Sequence, residues 1–187
     1  NLVYKPKMSK QAFFKKKGQN TTMNDVQFKE VRLNKLDFKR LIDRQQIFGS
    51  TAEINNGLAK FSEDLRYPKI PKNKIGHAPY QQLMKVKSIF HFNTVYVNNV
   101  SVVYDDFSKK YNKEGSISFN HATGTLDNVT NDSAILRNNR FMRADLTAKV
   151  MNIGKLNVKF GFDMLSKNGS YTYVGTLSPM PATAFNR

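Results

Sequence analysis

Histidine is the residue type of this chain that could serve as a metal ligand or an acid–base catalyst, but its spacing does not assemble a site. The three histidines, His77, His91 and His121, are scattered along the chain, and none has a second ligand-type residue three or four positions away. His91 falls on the opposite parity to Phe90 and Phe92, which predicts a solvated strand residue. His121 extends the face of Phe119 and is expected to be half-buried. We expect no metal site.

Acidic pairs are the other candidate for chemistry, and their spacing is equally unsuitable. Glu63-Asp64 and Asp105-Asp106 are adjacent in the chain, so on a strand their side chains point to opposite faces and cannot share a proton. They are interpreted as turn residues. The chain also lacks a phosphate-binding glycine loop and a nucleophile-elbow motif. We therefore expect no catalytic residue and no cofactor, so the protein is predicted not to be an enzyme.

The charge balance limits the partners. Thirty Lys and Arg against fourteen Asp and Glu give a formal charge of +16, which favours an acidic partner such as an anionic surface, an acidic protein or nucleic acid. The chain has no cysteine, so a disulfide framework, a thiolate zinc site and a cysteine nucleophile are excluded. It begins at Asn1 without a signal peptide or an apolar run long enough to cross a bilayer, and we interpret it as a segment of a longer protein.

Alternation of apolar and polar residues is the dominant pattern. In "GKLNVKFGFDM", residues 154–164, five apolar residues fall on every second position, the period of a strand with one apolar and one polar face. Similar runs cover residues 88–104, 115–124, 141–152 and 170–177, separated by short polar turns. The sequence therefore predicts an all-β fold: a long antiparallel meander forming a twisted, curved sheet or groove segment, with one or two short helices. The residues assigned to its apolar face are Phe90, Phe92, Tyr96, Val100, Val102, Tyr104, Ile117, Phe119, Met142, Leu146, Val150, Leu156, Val158, Phe160, Phe162, Met164, Tyr171 and Tyr173.

Two positions predict a break in this alternation. Asn98 is the one polar residue on its face, and Asn99 beside it is expected to mark a bulge. Near the N-terminus, the apolar residues at 26 and 28 fall on one parity and those at 31 and 33 on the other. This shift predicts either a bulge or two short strands.

The N-terminal half contains the less regular segments. Residues 1–24 form a basic lead-in, which is expected to be partly disordered or packed at an edge. Helical spacing of apolar residues predicts a short helix near 36–47, and a turn or two of helix is expected near 78–86. Asn55-Asn56-Gly57 is a hairpin-turn signal, and the proline-containing residues 65–79 are interpreted as a long loop.

Residues from about 50 to the C-terminus resemble the AsmA-like family of Gram-negative envelope proteins. The resemblance rests on "HAPYQQLMKV", "VNNVSVVYDDFSKKYNKEGSISFNHATGTLDNVTND" and "RADLTAKVMNIGKLNVKFGFDMLSKNGSYTYVGTLSPM". Within these stretches it is carried by Tyr104 and Phe107 leaving the long strand, the strand at residues 115–119, the "TGTLDNVTND" segment and the basic-apolar hairpin after it. The resemblance implies that residues 25–187 are one segment of a long β-groove.

The resemblance also implies a function. A meander with almost no helix must fold on itself, meet a second sheet or leave its apolar face to a ligand. An AsmA-like groove would hold or conduct lipid acyl chains in inter-membrane lipid transport or outer-membrane assembly. Its partners would be phospholipid or another envelope lipid and inner- or outer-membrane proteins. It would lie in the periplasm, anchored to the inner membrane through a segment outside this chain.

Two alternatives remain open at this point. A closed β-sandwich core would show the same alternation as a groove. The basic charge also suits a β-sheet interaction module that binds an acidic protein, an anionic surface or nucleic acid. Nucleic acid is the least expected of these partners, because the lysines are spread over the polar parity of nearly every strand.

Overall fold

The computed structural model of the chain describes residues 1–69 and 78–185. Eight strands form one open sheet whose spatial order follows the chain order. The strands are β1 (Leu2–Tyr4), β2 (Met23–Asn34), β3 (Ile47–Asp64), β4 (Phe90–Ser108), β5 (Lys113–Thr130), β6 (Phe141–Val150), β7 (Gly154–Asp163) and β8 (Tyr171–Leu177). The helices are α1 (Lys10–Lys17), α2 (Phe38–Arg44), α3 (Pro79–Leu83) and α4 (Ser133–Asn138), and a short 3-10 helix spans Ala182–Phe185.

The sheet confirms the predicted all-β fold, with one departure from a simple meander. All neighbouring strands are antiparallel except β3 and β4, which run parallel. A parallel pair needs a long crossover connection, and the chain between Asp64 and Phe90 includes α3. Residues 70–77 of the loop predicted at 65–79 lie outside the described residues. Apolar alternation is the same for parallel and antiparallel partners, so the sequence pattern did not indicate strand direction here.

The two predicted helices are confirmed, at α2 and α3. Helix α2 begins after Asp37, whose carboxylate accepts a hydrogen bond from the Arg40 amide at 3.0 Å, and its C-cap residue, Gln45, has a φ of 54°. These are an acidic N-cap and a left-handed C-cap. Helix α4 has only six residues, too few to show a helical period, and it was not predicted.

The basic lead-in is packed against the sheet. Residues 1–24 contain the edge strand β1 and helix α1, which is capped by the Ser9 hydroxyl and by Gly18 at a φ of 62°. Phe14 of α1 is fully buried and stacks on Tyr67 at 6.1 Å between ring centroids. The lead-in is therefore packed: β1 pairs with β2 at the edge of the sheet, and Phe14 anchors α1 on a residue that follows β3.

The hairpin predicted at Asn55-Asn56-Gly57 is wrong. Strand β3 continues through these residues as an unbroken strand of 18 residues. Asn56 has the positive φ that a turn would use, 53°, but the chain does not reverse there. Asparagine tolerates this conformation within a strand as well as in a turn, so the local signal was ambiguous.

Candidate apolar binding face

One face of the sheet is apolar across strands β5 to β8. Directly opposite residues of paired strands share a face. Leu126 of β5 is opposite Ala144, which is opposite Phe160, which in turn is opposite Tyr173. We call this side the apolar face. The predicted residues of β6–β8 that the pairing places on it are Met142, Leu146, Val150, Leu156, Val158, Phe160, Phe162, Tyr171 and Tyr173.

Strand β4 changes its facing parity within its length, and the assignment of Tyr96 to the apolar face is wrong. Val95 pairs with Leu126 and therefore lies on the apolar face. Tyr96, one residue later, is opposite Glu53 and Thr125 on the reverse side, the polar face. Val95 was not among the predicted residues, because the parity of the flanking phenylalanines concealed it.

After the asparagines of β4 the parity shifts again. Val102 pairs with Phe119, which pairs with Val150 of the apolar face. This second shift of one residue cancels the first, which lies near the start of β4. The predicted residues that follow it therefore lie on the apolar face, as the pairing shows. The residues that lie on the apolar face after this shift are Val100, Val102, Tyr104, Ile117 and Phe119. The predicted bulge at Asn99 is confirmed by a register shift between Val97 and Val100.

The first shift lies near the start of β4. Phe92 and its partner Val129 pack into one buried cluster with Val95, so they share the apolar face although their parity differs from that of Val95. Asn128, which precedes Val129, has a φ of 56°. Phe90 packs against the same cluster.

A row of three residues with positive φ crosses the sheet at the second shift. Asn56, Asn99 and His121 have φ values of 53°, 55° and 54° on three neighbouring strands. The Asn99 side-chain amide donates to Asn56 Oδ1 at 2.7 Å, and His121 Nδ1 lies 2.7 Å from Asn99 Oδ1. We call this row the asparagine ladder. It aligns the shift in the three strands, so the apolar face continues past the break.

The asparagine ladder also explains the parity change predicted in β2. Phe28 pairs with Gly57 and Val31 pairs with Ile54, so the shift in β2 lies opposite the shift in β3. Strand β2 therefore remains one strand. On the polar face beside the ladder is an open depression of about 470 Å³ that includes Gln27, Leu58 and Ser101 in its lining.

Two short helices cover one end of the apolar face. Leu136 of α4 is fully buried, and Tyr80 of α3 is 5% exposed. They pack with Met142 and Met164 in the cluster that contains Val95. This end is an ordinary packed core, and the predicted residue Met164 belongs to it.

Tyr80 joins this core to an aromatic patch. Its ring stacks on Phe162 at 4.9 Å, and Phe162 stacks on Phe160 at 5.3 Å. Tyr173 continues the patch, with its ring 6.3 Å from Phe160. Burial raises the pKa of the Tyr80 hydroxyl, and the negative charge of Asp163 adds to the increase.

The C-terminal segment covers the opposite end of β6 and β7. Val150 is buried, and a Cβ atom added at Gly154 would lie 2.6 Å from the Met180 sulfur. Glycine at 154 therefore allows Met180 to pack directly on the backbone. Ala184 of the following 3-10 helix is also buried.

Between these covered ends the apolar face is open. Leu146, Leu156 and Val158 are only partly buried, and Tyr173 is 71% exposed. The described residues form a single sheet, and within them no second layer lies over this stretch. We call residues Leu146, Ala148, Leu156, Val158 and Phe160 the open stretch.

The polar face carries the charges of the same strands. Lys159 pairs with Asp145 at 2.7 Å, and Arg140 makes two hydrogen bonds to Asp163 at 2.7 and 2.6 Å. Lys149 and Lys155 lie directly opposite each other. In the part of the chain that the structure describes, no carboxylate is within ion-pair distance of either lysine.

The acidic pairs lie in strands and not in turns, so that prediction is wrong. Asp105 of β4 is buried and pairs with Lys60 at 2.7 Å and with Lys10 of α1 at 3.8 Å. Asp64 ends β3 and accepts two hydrogen bonds from the Arg66 guanidinium at 2.9 and 2.7 Å. These bonds lower the pKa of the Asp64 carboxyl. Asp105 thus ties α1 to β4 through Lys10, and Asp64 stabilises the end of β3 through Arg66.

The histidines are placed differently from expectation. His91 is half-buried, with Nε2 2.8 Å from Asn93 Oδ1 and Nδ1 buried without a hydrogen-bond partner among the described residues. Its ring lies 5.8 Å from that of Phe48. His121 is exposed in the asparagine ladder, because its left-handed conformation takes it off the Phe119 face. His77 lies outside the described residues.

Within residues 1–69 and 78–185 no group of three or more histidine or acidic side chains could hold a metal ion. Among the helices of the same residues, none is long and apolar enough to cross a membrane. Comparison of the chain with family models, with curated proteins and with solved structures found no match. The AsmA-like resemblance therefore stays a prediction from the sequence.

Proposed function

We propose that the apolar face binds lipid acyl chains and that the protein acts in holding or conducting lipid rather than in catalysis. The observation that supports this most directly is the open stretch. It is a strip of aliphatic and aromatic side chains without a charged residue, lying between two covered ends of the same face. Its side chains are partly exposed to water in the described chain, and an acyl chain would remove that exposed surface.

The energetics of such binding need no polar chemistry. Each methylene group that leaves water contributes about 0.8 kcal/mol. An acyl chain lying across β6 and β7 would contact Leu146, Val158 and Phe160, whose side chains are adjacent on paired strands. The aromatic patch offers flat surfaces at the outer side of this strip. This arrangement suits a ligand that is long, apolar and variable in length.

A second candidate function is the binding of an acidic partner on the polar face. It is favoured by Lys149 and Lys155, which are directly opposite each other on β6 and β7. Like charges in this position repel, and an anion between them would remove the repulsion. This function predicts binding that weakens steeply with salt, whereas acyl-chain binding does not.

The test uses a matched pair of neighbouring residues. Phe160 lies on the apolar face and Lys159 on the polar face. We expect lipid extraction and mass spectrometry of the purified protein to find co-purifying phospholipid. Phe160→Glu should lose this lipid and keep a cooperative melting transition, because the charge faces an open surface. Lys159→Glu should retain both lipid and fold.

Other outcomes would decide against the proposal. If the parent protein carries no lipid and binds none from vesicles, the apolar face has another role. If Phe160→Glu unfolds the protein instead, the open stretch is a sealed core. Salt-sensitive binding of an anionic polymer that is lost in a Lys149→Glu, Lys155→Glu double variant would support the second function.

A further inference from the structure

Strand β8 is an edge strand without the usual protection against pairing. All seven of its residues, Tyr171–Leu177, are exposed. The sequence "YTYVGTL" contains no charge and no proline. Val174 is 67% exposed on the polar face, and Tyr173 is exposed on the apolar face. Edge strands of soluble proteins commonly carry lysine, proline or a bulge, which prevent pairing with another chain.

The opposite edge of the sheet, at β1, is protected by lysine, proline and a short strand. Strand β1 has only three residues and is followed by Lys5-Pro6-Lys7. Beyond β1, the exposed border of β2 carries Lys29 and Arg32. The two edges therefore differ: one is short and charged, and the other is longer, uncharged and apolar on both faces.

The backbone of β8 has a defined set of free groups. The Ser178 amide donates to the Lys155 carbonyl at 2.9 Å, and the Asp163 amide donates to the Ser170 carbonyl at 3.3 Å. Residues 170 and 178 thus direct their backbone groups toward β7. Because this direction alternates along an antiparallel strand, the groups of 172, 174 and 176 also face β7. Those of the four odd-numbered residues, Tyr171, Tyr173, Gly175 and Leu177, face the free edge.

We propose that β8 pairs with β8 of a second copy of this chain, antiparallel, with Val174 on the two-fold axis. In this register Tyr171 is opposite Leu177 and Tyr173 is opposite Gly175. Each outward N–H then faces an outward carbonyl, and all seven residues of the strand are used. Registers centred on Tyr173 or Gly175 leave residues at the ends of the strand unpaired.

The side chains fit the same register. Tyr173 lies over Gly175 of the other copy, so its ring covers a position without a side chain, and Tyr171 meets Leu177 on the same face. On the polar face Thr172 meets Thr176, and the two Val174 side chains meet on the axis. Aromatic–aliphatic and threonine pairs of this kind stabilise antiparallel strands. The apolar faces of the two copies become continuous, but the pairing does not depend on their binding lipid.

A single cysteine provides the sharpest test, because the chain has none of its own. The two Val174 residues on the axis form a non-hydrogen-bonded pair, in which the Cα atoms are about 4.5 Å apart. This distance is within disulfide range. Val174→Cys should therefore give a covalent dimer on mild oxidation. Thr172→Cys is the matched control: residue 172 meets 176, so this variant alone should stay uncrosslinked. A mixture of Thr172→Cys and Thr176→Cys proteins should give the mixed dimer.

The parent protein should have the mass of a dimer by light scattering. Val174→Lys should halve that mass while leaving the melting curve cooperative, because two lysines would be opposed on the axis. Val174→Thr, uncharged and favourable in a strand, should remain dimeric. A monomeric parent at high concentration, a dimer that Val174→Lys does not dissociate, or crosslinking at Thr172 as efficient as at Val174 would each overturn the proposal. Because none of these measurements uses lipid, they are independent of the proposed function.

Discussion

Met142 and Leu146 are four residues apart on β6 and lie on the same apolar face, yet their surroundings differ. Met142 is 2% exposed because α3 and α4 pack over this end of the face. Leu146 is only partly buried, since it belongs to the open stretch. Two residues with the same parity, in the same strand and of similar size thus belong to a packed core and to an open surface. Alternation shows which residues share a face, but it does not show what covers that face.

The same contrast separates the two halves of the aromatic patch. Tyr80 and Tyr173 are both within reach of the Phe160–Phe162 pair. Tyr80 is 5% exposed and Tyr173 is 71% exposed. The patch therefore extends from the interior of the core to the edge of the sheet. A ligand lying on the open stretch would therefore contact aromatic surface on its β8 side.

The largest effect should come from placing a charge at the two compared positions. Met142→Glu buries an unpaired carboxylate and should lower the free energy of unfolding by several kcal/mol, enough to unfold a typical domain. Leu146→Glu leaves its carboxylate in contact with water and should cost much less. Chemical denaturation of both variants measures the difference. Equal losses would mean that the open stretch is sealed in solution and would remove the contrast.

An intermediate effect is expected at the asparagine ladder, which keeps the two halves of the apolar face in line. Asn99→Ala should cost about 1–2 kcal/mol for the left-handed backbone, and about 1 kcal/mol more for each lost hydrogen bond. Asn99→Gly removes the same hydrogen bonds without the backbone cost, so it should be more stable than the alanine variant. Thermal melting of the pair isolates the backbone contribution. An alanine variant as stable as the glycine variant would show that the positive φ is not needed.

The smallest effect should be the loss of the Asp64–Arg66 ion pair at low pH, at the end of β3. The pKa of Asp64 is lowered by Arg66 from its ordinary value of 3.8. The resulting stabilisation is complete above this ordinary value and is lost as the pH falls through the lowered pKa. Melting temperatures between pH 5 and pH 2 should therefore fall less steeply in Asp64→Asn than in the parent. Equal slopes would indicate that this ion pair contributes nothing to stability. The open stretch has no charged residue, so it should add no pH dependence of its own.

Much of the sheet was predictable because its alternation is long and regular. The face of Leu156, Val158, Phe160 and Phe162 follows from a period of two that no irregularity interrupts between Gly154 and Asp163. The helix near residues 36–47 was predictable for a similar reason, since its spacing differs clearly from that of a strand. The bulge at Asn99 was predictable too, because the neighbouring Asn98 is a polar residue on an apolar parity, which is a local signal of a bulge.

The misplaced residue, Tyr96, shows where local reasoning fails. It lies between two shifts of one residue, and only pairing with Glu53 and Thr125 reveals its side of the sheet. The first shift has no clear signal in the sequence. An apolar residue, Val95, takes the place on the apolar face that strict alternation assigns to its neighbour, so no polar residue marks the change. Register is a relation between strands distant in sequence, so a single strand does not contain it.

A sheet with one apolar face follows from the amino-acid sequence alone, because side-chain direction in a strand depends only on local backbone geometry. The tertiary structure decided the parallel pairing of β3 and β4 and the alignment of Asn56 with Asn99 and His121. It also decided that Leu136 and Met180 cover the two ends and leave Leu146 open. Covering depends on where short segments such as α4 come to rest, and six residues carry too little periodic information to specify that position in advance.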